Sequence, residues 1–294
     1  MTRSGFVALA GRPNVGKSTL TNAIVGEKVA IVSDRPQTTR RAIRGVLSAA
    51  DYQLVLVDLP GVQRPRDALT QRMQGSVVRE LGEADAALLL LNGEEGVGPG
   101  DRFIARALLD APVSVTVAVN KMDRLPRPRQ TQALLDAAEI APAGAEIFPV
   151  SARSGAGVAT LVEHLASQLP AGPFLYESHQ HSDMAREELL AELVREQVLR
   201  RTFQEVPHSV GVMLDHIEQI RDGLIRVRAV VWVETESQKG ILIGAGGRMI
   251  KAIGIAARRA LQAELGAQVH LDLSVRLRRG WRADESLLDR LGIE

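Results

Sequence analysis

The sequence predicts two domains, an α/β domain with a mostly parallel sheet followed by a smaller α+β domain. Short apolar strands alternate with amphipathic helices in the first half, which is typical of a sheet covered on both faces. The segment LPAGP at residues 169–173 ends that alternation, because two prolines and a glycine break a helix. The 294 residues are enough for two domains. We therefore place the first domain at 1–172, a linker at 173–182 and the second domain at 183–294.

The first domain is expected to hold a mostly parallel six-stranded sheet. Five apolar runs predict strands at Phe6–Ala10, Leu54–Asp58, Ala87–Asn92, Val113–Asn120 and Glu146–Val150. Two further candidates, Val29–Ser33 and Ile43–Ser48, flank a polar stretch and predict one antiparallel pair. Helices are predicted to begin near Lys17, Ala68, Asp101, Arg129 and Val158.

The second domain has a different order of elements. A helix is predicted over about Asp183–Phe203, then strands at Ser209–Glu218 and Leu224–Thr235. Two helical stretches follow on either side of Gly244–Gly247. A last strand at Gln268–Arg278 precedes a short helix that begins near Trp281.

Composition excludes some classes of protein. The chain has no cysteine, so it forms neither a disulfide framework nor a thiolate metal site, which favours a cytosolic protein. Hydrophobic residues make up 45% of the chain and the net charge is +1, as in ordinary globular proteins. The N-terminus runs directly into a predicted strand, so we expect no signal peptide. The longest apolar runs, such as Ala86–Leu91, are too short to span a bilayer.

The segment GRPNVGKS at residues 11–18 matches the phosphate-binding pattern G-x-x-x-x-G-K-[ST]. It follows a predicted strand and opens a predicted helix, where backbone N–H groups and the helix N-terminus face a phosphate. Lys17 is expected to reach the β- and γ-phosphates, and Ser18 to bind Mg²⁺. The predicted nucleotide-binding residues here are Gly11, Asn14, Val15, Gly16, Lys17, Ser18 and Thr19.

Two further segments predict the rest of a magnesium and γ-phosphate site. The D-x-x-G sequence of Asp58–Gly61 ends a predicted strand about 40 residues after the phosphate loop. There Asp58 is expected to hold Mg²⁺, and the Gly61 N–H to meet the γ-phosphate. A threonine between Ser33 and Arg44 is expected to complete the metal shell and to sense the γ-phosphate. Thr38 and Thr39 compete for this role, and we favour Thr39.

The segment NKMD at residues 120–123 indicates which base is bound. Guanine offers two donors, N1–H and the N2 amine, to one carboxylate, whereas adenine would leave a buried Asp123 unpaired. Asn120 and Lys121 are expected to brace the loop and the ring. The later segment Ser151-Ala152-Arg153 is expected to support the base through its backbone. Together the motifs predict a protein that binds and hydrolyses GTP.

These motifs resemble those of the Era family of ribosome-assembly GTPases. The resemblance rests on GRPNVGKST, PQTTR, DLPG and NKMD in the first half. In the second half it rests on EVPHSVGV, KGILIGAGGRMIKAIG and WRADESLLDRLG. It implies an α/β P-loop GTPase domain, an α+β KH domain of the second type, and slow hydrolysis of GTP to GDP with Mg²⁺. Lys17, Thr39, Asp58 and Gly61 would be the catalytic residues.

The resemblance also carries two details of catalysis. Val62 stands where Ras-type enzymes place the glutamine that orients water, which is usual in this family and implies another way to position water. Asn14 fits relatives whose phosphate-loop asparagine helps to bind K⁺, although not every such asparagine does so.

KH domains clamp about four nucleotides of single-stranded RNA with a G-x-x-G loop. Gly93–Gly96 also satisfies that pattern, but helical flanks and local positive charge favour Gly244–Gly247. Family members often carry a lysine between the glycines, and this chain has Ala245 and Gly246 instead. The predicted RNA-binding residues are Lys239, Gly244, Ala245, Gly246, Gly247, Arg248 and Lys251.

By resemblance, the RNA is the 3′ region of small-subunit ribosomal RNA, and the role is maturation of the small ribosomal subunit. We expect a cytoplasmic monomer, and the family's peripheral association with the inner face of the cell membrane has no visible anchor here. The alternative is an RNA-binding chaperone for which GTP is only a regulatory ligand. A kinase that uses ATP is disfavoured by Asp123.

Overall fold

The computed structural model describes residues 2–35, 38–61, 67–109, 113–203 and 206–293. These residues form two compact units, which are described separately. The first unit contains a six-stranded sheet with strand order β2-β3-β1-β4-β5-β6. The strands are β1 (Arg3–Ala10), β2 (Ile43–Ser48), β3 (Tyr52–Asp58), β4 (Ala86–Asn92), β5 (Ser114–Asn120) and β6 (Ile147–Pro149). All neighbours are parallel except β2 and β3, so the predicted mostly parallel six-stranded sheet is confirmed, but the antiparallel partner of β2 is β3 and not the predicted strand Val29–Ser33.

Helices cover this sheet because the inner strands are apolar on both faces. They are α1 (Lys17–Val25), α2 (Ala68–Glu83), α3 (Pro99–Leu109), α4 (Arg127–Ile140) and α5 (Val158–Gln168). Every residue of β4 is buried, which matches its continuous apolar sequence. Strand β3 pairs directly with β1, and in that register Leu9 lies opposite Asp58. The carboxyl end of β3 therefore lies beside the loop that follows β1.

The predicted strand at Val29–Ser33 is wrong. The side chain of Asn22 takes up the backbone groups that a strand would pair, with its Oδ1 accepting from the N–H groups of Val29 (3.0 Å) and Ala30 (2.9 Å). Its Nδ2 donates to the Ala30 carbonyl over 2.8 Å. Because these groups already have partners, the segment stays irregular, and β2 pairs with β3 instead.

The second unit has the predicted α+β order. Its helices are α6 (Arg186–Arg201), α7 (Val206–Ser209), α8 (Glu236–Ile243), α9 (Arg248–Leu265) and α10 (Glu285–Arg290). Its strands are β7 (Gly211–Arg221), β8 (Leu224–Val233) and β9 (Gln268–Leu277). The middle strand β8 is antiparallel to β7 and parallel to β9. This helix–strand–strand–helix–helix–strand order is that of a type II KH domain.

One face of the second sheet packs on α6 and α9. Alternate residues of β8, including Val227, Ala229 and Val231, are buried against apolar residues of these helices. The predicted strand start at Ser209 is wrong, because α7 ends there and β7 begins at Gly211.

The stretch Glu236–Leu265 has the length and composition of a membrane-crossing helix. However, it contains a break at Gly244–Gly247 and contributes buried residues to this core.

The domain limits predicted from the sequence stay a prediction. In the structure, residues 173–183 group with the first unit. A hydrogen bond contributes to this grouping, because the N–H of Val46 on the edge strand β2 donates to the His181 carbonyl over 2.8 Å. Described residues 31–35, 38 and 67–72 group with the second unit, although they belong to the first half of the sequence.

Candidate functional site

The phosphate loop connects β1 to α1 at the carboxyl edge of the first sheet. Its backbone takes left-handed conformations at Asn14 (φ 64°) and at Gly16 (φ 102°). Gly16 precedes the first helical residue, so the N–H groups of the first turn of α1 face the loop. A Cβ on Gly16 would lie 2.3 Å from Asn120 Nδ2, and a Cβ on Gly11 would lie 2.6 Å from the Leu90 carbonyl. Both glycines are therefore required by close contacts.

Lys17 lies at the centre of this loop. Its Nζ donates to the carbonyls of Gly11 (3.1 Å) and Arg12 (3.2 Å), and the residue is buried. Loss of hydration lowers the pKa of Lys17, and the charge of Asp58 partly opposes this shift. The ammonium group is thus held ready beside the helix N-terminus, where an anion binds best.

Three oxygen side chains meet next to Lys17. Ser18 Oγ lies 2.5 Å from Asp58 Oδ2 and 3.1 Å from Thr39 Oγ1, and Thr39 Oγ1 lies 3.3 Å from the same carboxylate oxygen. Thr38 is not part of the cluster, since its hydroxyl donates to the Arg35 carbonyl over 2.6 Å. The structure thus brings together Thr39, Ser18 and Asp58, as the sequence predicts.

The carboxyl group of Asp58 is fully buried. Its Oδ1 has no hydrogen-bond partner among the described residues. Burial raises the pKa of Asp58, while Lys17 and the two hydroxyl groups oppose the shift. A buried anion with a free oxygen and two neighbouring hydroxyls is the all-oxygen donor set that Mg²⁺ prefers. The cluster therefore fits the predicted metal.

Gly61 lies against the phosphate loop. A Cβ on this residue would lie 2.8 Å from Pro13 Cγ, so the close approach requires glycine. The backbone after Asp58 thus passes next to the loop, as expected for a group that meets the γ-phosphate. Val62 lies outside the described residues.

Asn120 connects three of the predicted motifs through two buried hydrogen bonds. Its Nδ2 donates to the Val15 carbonyl over 2.8 Å, and its Oδ1 accepts from the Ala152 N–H over 2.9 Å. The side chain therefore fixes the phosphate loop and the Ser151–Arg153 loop relative to the end of β5. The sequence predicts a bracing role for Asn120, and these contacts support that role.

In the rest of the base loop, Met122 is buried, Lys121 is half-buried and Asp123 is exposed. Lys121 has a left-handed backbone (φ 65°), and Asp123 lies exposed in the short 3₁₀ turn Met122–Arg124. Within the described parts of the chain, no protein group forms an ion pair or hydrogen bond with the Asp123 carboxylate. Ser151 and Ala152 are buried and Arg153 is exposed. The carboxylate is thus available to a ligand beside a rigid backbone.

The G-x-x-G loop of the second unit joins α8 to α9. Three of its four residues have left-handed backbones, Gly244 (φ 69°), Gly246 (φ 60°) and Gly247 (φ 77°). A Cβ on Gly244 would lie 2.7 Å from Met249 Cβ, whereas Gly246 and Gly247 have no atom within 4 Å of such a position. The loop therefore presents a bare backbone to solvent at the N-terminus of α9.

Three basic residues lie in the two helices that flank the loop, Lys239 in α8 and both Arg248 and Lys251 in α9. No ion pair involves Lys239, Arg248 or Lys251 within the described ranges, although Arg248 Nε donates to the Ala245 carbonyl over 3.2 Å. Two isoleucines on the helices that flank the loop, Ile241 on α8 and Ile255 on α9, are 47% and 40% exposed. Such a combination of charge and exposed apolar surface suits a single strand of RNA whose phosphates meet the basic residues and whose base faces pack on apolar side chains.

Reasoning from the sequence missed Ile241 and Ile255 in the second unit. It also missed Asp101 in the first unit, a fully buried carboxyl group 2.8 Å from the guanidinium Nε of Arg12. The sequence signal that could have identified the isoleucines is an apolar residue in each of the two helices that flank the glycine loop. Nothing in the sequence pattern pairs Arg12 with Asp101.

Comparisons with known proteins agree with this arrangement. Residues 6–121 match a family described as 50S ribosome-binding GTPases, and residues 205–282 match the KH domain family. GTPase Era from Mycolicibacterium smegmatis (strain ATCC 700084 / mc(2)155) is 45% identical over 99% of this chain and 98% of its own length. GTPase Era from Mycobacterium avium (strain 104) is 46% identical over the same shares of the two chains.

Two solved structures resemble the whole chain. A crystal structure of Era in complex with MgGDPNP and nucleotides 1506–1542 of 16S ribosomal RNA has a TM-score of 0.94 at 32% identity. It covers 100% of this chain and 99% of its own. A single-residue variant of Era from Aquifex aeolicus bound to GDP·AlF₄⁻ has a TM-score of 0.93 at 32% identity, with 99% of each chain covered.

The fold and the two sites define a GTPase of the P-loop class joined to a type II KH domain. Identity of 45% over nearly the full length is decisive for the family. The chain belongs to the Era family of GTPases.

Proposed function

We propose that this protein is a switch that hydrolyses GTP slowly with Mg²⁺ bound by Ser18, Thr39 and Asp58. The observation that carries the proposal is the contact of Ser18 and Thr39 with Oδ2 of Asp58, whose buried Oδ1 has no hydrogen-bond partner among the described residues. Bound Mg²⁺ would neutralise phosphate charge. Lys17 would bind the β- and γ-phosphates, and the Gly61 N–H would bind the γ-phosphate.

The base would be selected at the other end of the site. The exposed carboxylate of Asp123 would accept from N1–H and N2 of guanine, while Asn120 holds the supporting loops together. The backbone of Ser151, Ala152 and Arg153 would line the base. GDP would keep these contacts and lose those of the γ-phosphate. Loss of the γ-phosphate would release Thr39 and so switch the protein.

A K⁺ ion bound by Asn14 is the second part of the catalytic proposal. Asn14 is exposed in the phosphate loop and has a left-handed backbone (φ 64°). A K⁺ ion held by Asn14 would supply positive charge that an arginine finger supplies in other GTPases.

The second unit would bind single-stranded RNA at Gly244–Gly247, with Lys239, Arg248 and Lys251 neutralising phosphates. Because the related Era structure contains nucleotides 1506–1542 of 16S ribosomal RNA, we infer the 3′ region of small-subunit ribosomal RNA as the ligand. The role would then be maturation of the small ribosomal subunit. We also expect a cytoplasmic monomer, which sedimentation would test, and vesicle flotation would test whether the protein shares the family's peripheral association with membranes.

The alternative is an RNA-binding chaperone that uses GTP only as a regulatory ligand. Multiple-turnover phosphate release separates the two, because a protein that only binds GTP releases no phosphate. We expect a slow steady-state rate that falls when Ser18 is replaced by alanine. A wild-type protein that binds GTP but releases no phosphate in excess would favour the chaperone.

RNA binding has its own test. Fluorescence anisotropy with a labelled single strand of the 3′ sequence should give an affinity that falls with salt. The slope of log affinity against log salt is about −0.7 for each phosphate neutralised, so three basic residues predict a slope near −2. A duplex of the same sequence should bind more weakly, and equal binding of both would contradict a KH-type loop.

A further inference from the structure

The side chain of Arg12, the second residue of the phosphate loop, contacts α3 and the segment that precedes it. Its Nε lies 2.8 Å from Asp101 Oδ2, and its Nη1 lies 3.4 Å from a carboxylate oxygen of Glu95. Its Nη2 donates to the Gly96 carbonyl over 3.4 Å. Three contacts from one side chain thus tie the phosphate loop to the neighbouring polypeptide.

Asp101 is unusual for a carboxyl group because it is fully buried. Its Oδ2 accepts from the Gly98 N–H over 2.8 Å. Its Oδ1 has no hydrogen-bond partner among the described residues, and the Arg12 Nε–H does not point along the ion pair. The guanidinium of Arg12 therefore balances the charge of Asp101 electrostatically, and without it a buried anion would remain unpaired.

The surrounding backbone is shaped to admit the arginine. A Cβ on Gly100 would lie 2.7 Å from Arg12 Cδ. Gly98 also lies next to the guanidinium, with its Cβ position 3.9 Å from Arg12 Cζ. Glycine at position 100 therefore leaves room for the Arg12 side chain beside the start of α3, whereas a Cβ on Gly98 would be in ordinary contact with the guanidinium.

We propose that Arg12 is a positioning residue for the phosphates of the nucleotide, acting through its ion pair with Asp101. This inference rests on the proposed function, since it assumes that the loop binds the phosphates of GTP. Arg12 contributes the backbone of the loop as well as the anchor, and its own carbonyl accepts from Lys17 Nζ over 3.2 Å. Fixing the side chain on α3 holds that backbone in place before the ligand arrives, which lowers the entropic cost of binding.

The test measures affinity for GDP and for guanosine by displacement of a fluorescent guanine nucleotide. Arg12→Met keeps the length of the side chain and removes its charge, and Asp101→Asn keeps an acceptor for the Gly98 N–H. Arg12→Lys is the conservative variant. Arg102→Met is the matched control, because Arg102 lies on the same helix in an exposed pair with Glu139 at 3.8 Å.

We expect Arg12→Met and Asp101→Asn each to lower the affinity for GDP about tenfold, which corresponds to about 1.4 kcal/mol of binding free energy. Guanosine lacks phosphates, so its affinity should change less than about twofold. Arg12→Lys should recover most of the GDP affinity, and Arg102→Met should leave it unchanged. The double variant Arg12→Met/Asp101→Asn should be no worse than either single variant, because both remove the same pair.

The double variant also guards against misfolding, since it contains no unpaired buried charge. Wild-type affinity for GDP in Arg12→Met, equal losses for GDP and guanosine, or additive losses in the double variant would each overturn the positioning role while the GTPase proposal stands. A wild-type protein that bound no guanine nucleotide would overturn both.

Discussion

Replacing Gly16 by alanine tests whether Asn120 braces the nucleotide site. The new Cβ would lie 2.3 Å from Asn120 Nδ2, well inside the contact distance of the two atoms. Asn120 is 3% exposed and is held by two hydrogen bonds, so it cannot turn aside without losing them. The substitution should therefore release Val15 and Ala152 together.

Gly26→Ala is the matched control, because Gly26 ends the same helix that Gly16 begins. Both glycines have a left-handed φ, 102° at Gly16 and 83° at Gly26, but among the described residues no atom beyond the adjoining backbone lies within 4 Å of a Cβ on Gly26. Left-handed strain costs about 1–2 kcal/mol for an alanine at either position. Two lost hydrogen bonds add about 0.5–1.5 kcal/mol each at Gly16 alone. The expected losses are thus about 2–5 kcal/mol for Gly16→Ala and about 1–2 kcal/mol for Gly26→Ala.

Hydrogen exchange measured by mass spectrometry gives these values locally. The free energy of opening is read from peptides that cover α1 and the Ser151–Arg153 loop, and GDP affinity is measured on the same samples. Gly16→Ala should increase hydrogen exchange in both peptides and lower the affinity for GDP at least about tenfold. If both variants lost the same opening free energy and kept the same GDP affinity, Asn120 would be free to move and its bracing role would be refuted.

Two shorter predictions address the base and the cation. Asp123→Asn should weaken the binding of GTP by about 1–3 kcal/mol and favour the binding of xanthosine triphosphate, because the amide places a donor opposite the xanthine carbonyl. Competition binding measures this, and an unchanged preference for GTP would contradict the assignment of the base loop. Potassium should stimulate hydrolysis more than sodium, and Asn14→Ala should abolish the difference in steady-state phosphate release. Equal rates in the two salts for the wild type would exclude the K⁺ site but not the GTPase activity.

The sequence predicts the residues of the metal cluster well because each belongs to a short motif. Ser18 follows a lysine at the start of a helix, and Asp58 ends an apolar run. What the sequence does not contain is the strand order that brings them together. The parallel pairing of β1 with β3 places Leu9 opposite Asp58, and only then does the carboxyl group lie 2.5 Å from Ser18 Oγ.

One strand was predicted wrongly and one buried carboxyl group was missed. Both depend on a side chain elsewhere in the chain that pairs with backbone groups or with a charge. Val29–Ser33 has the composition of a strand, but Asn22 takes up its backbone groups from the preceding helix. Asp101 reads as an ordinary acidic residue in the first turn of a helix, which is where carboxylates are usually exposed. Its burial follows from the position of Arg12, 89 residues earlier, and no periodicity records that distance.

A comparison of Gly246→Asp with Gly266→Asp tests the RNA loop most directly. The two glycines lie at opposite ends of α9 and have nearly the same backbone, with φ 60° and ψ 26° at Gly246 and φ 61° and ψ 20° at Gly266. Neither has an atom within 4 Å of a Cβ, and aspartate is among the residues that best tolerate this conformation. The strain and the added charge are therefore matched.

The position of the added charge is what differs between the two variants. The 18 residues of α9 separate the new carboxylates by about 27 Å, more than twice the screening length at physiological salt. Gly246→Asp places its charge where we expect an RNA phosphate, so its affinity for the single strand should fall at least about tenfold. Gly266→Asp should change that affinity less than about threefold, and both variants should bind GDP normally. If the two variants lost the same affinity for RNA, the effect would be one of net charge, and the loop at Gly244–Gly247 would not be where RNA binds.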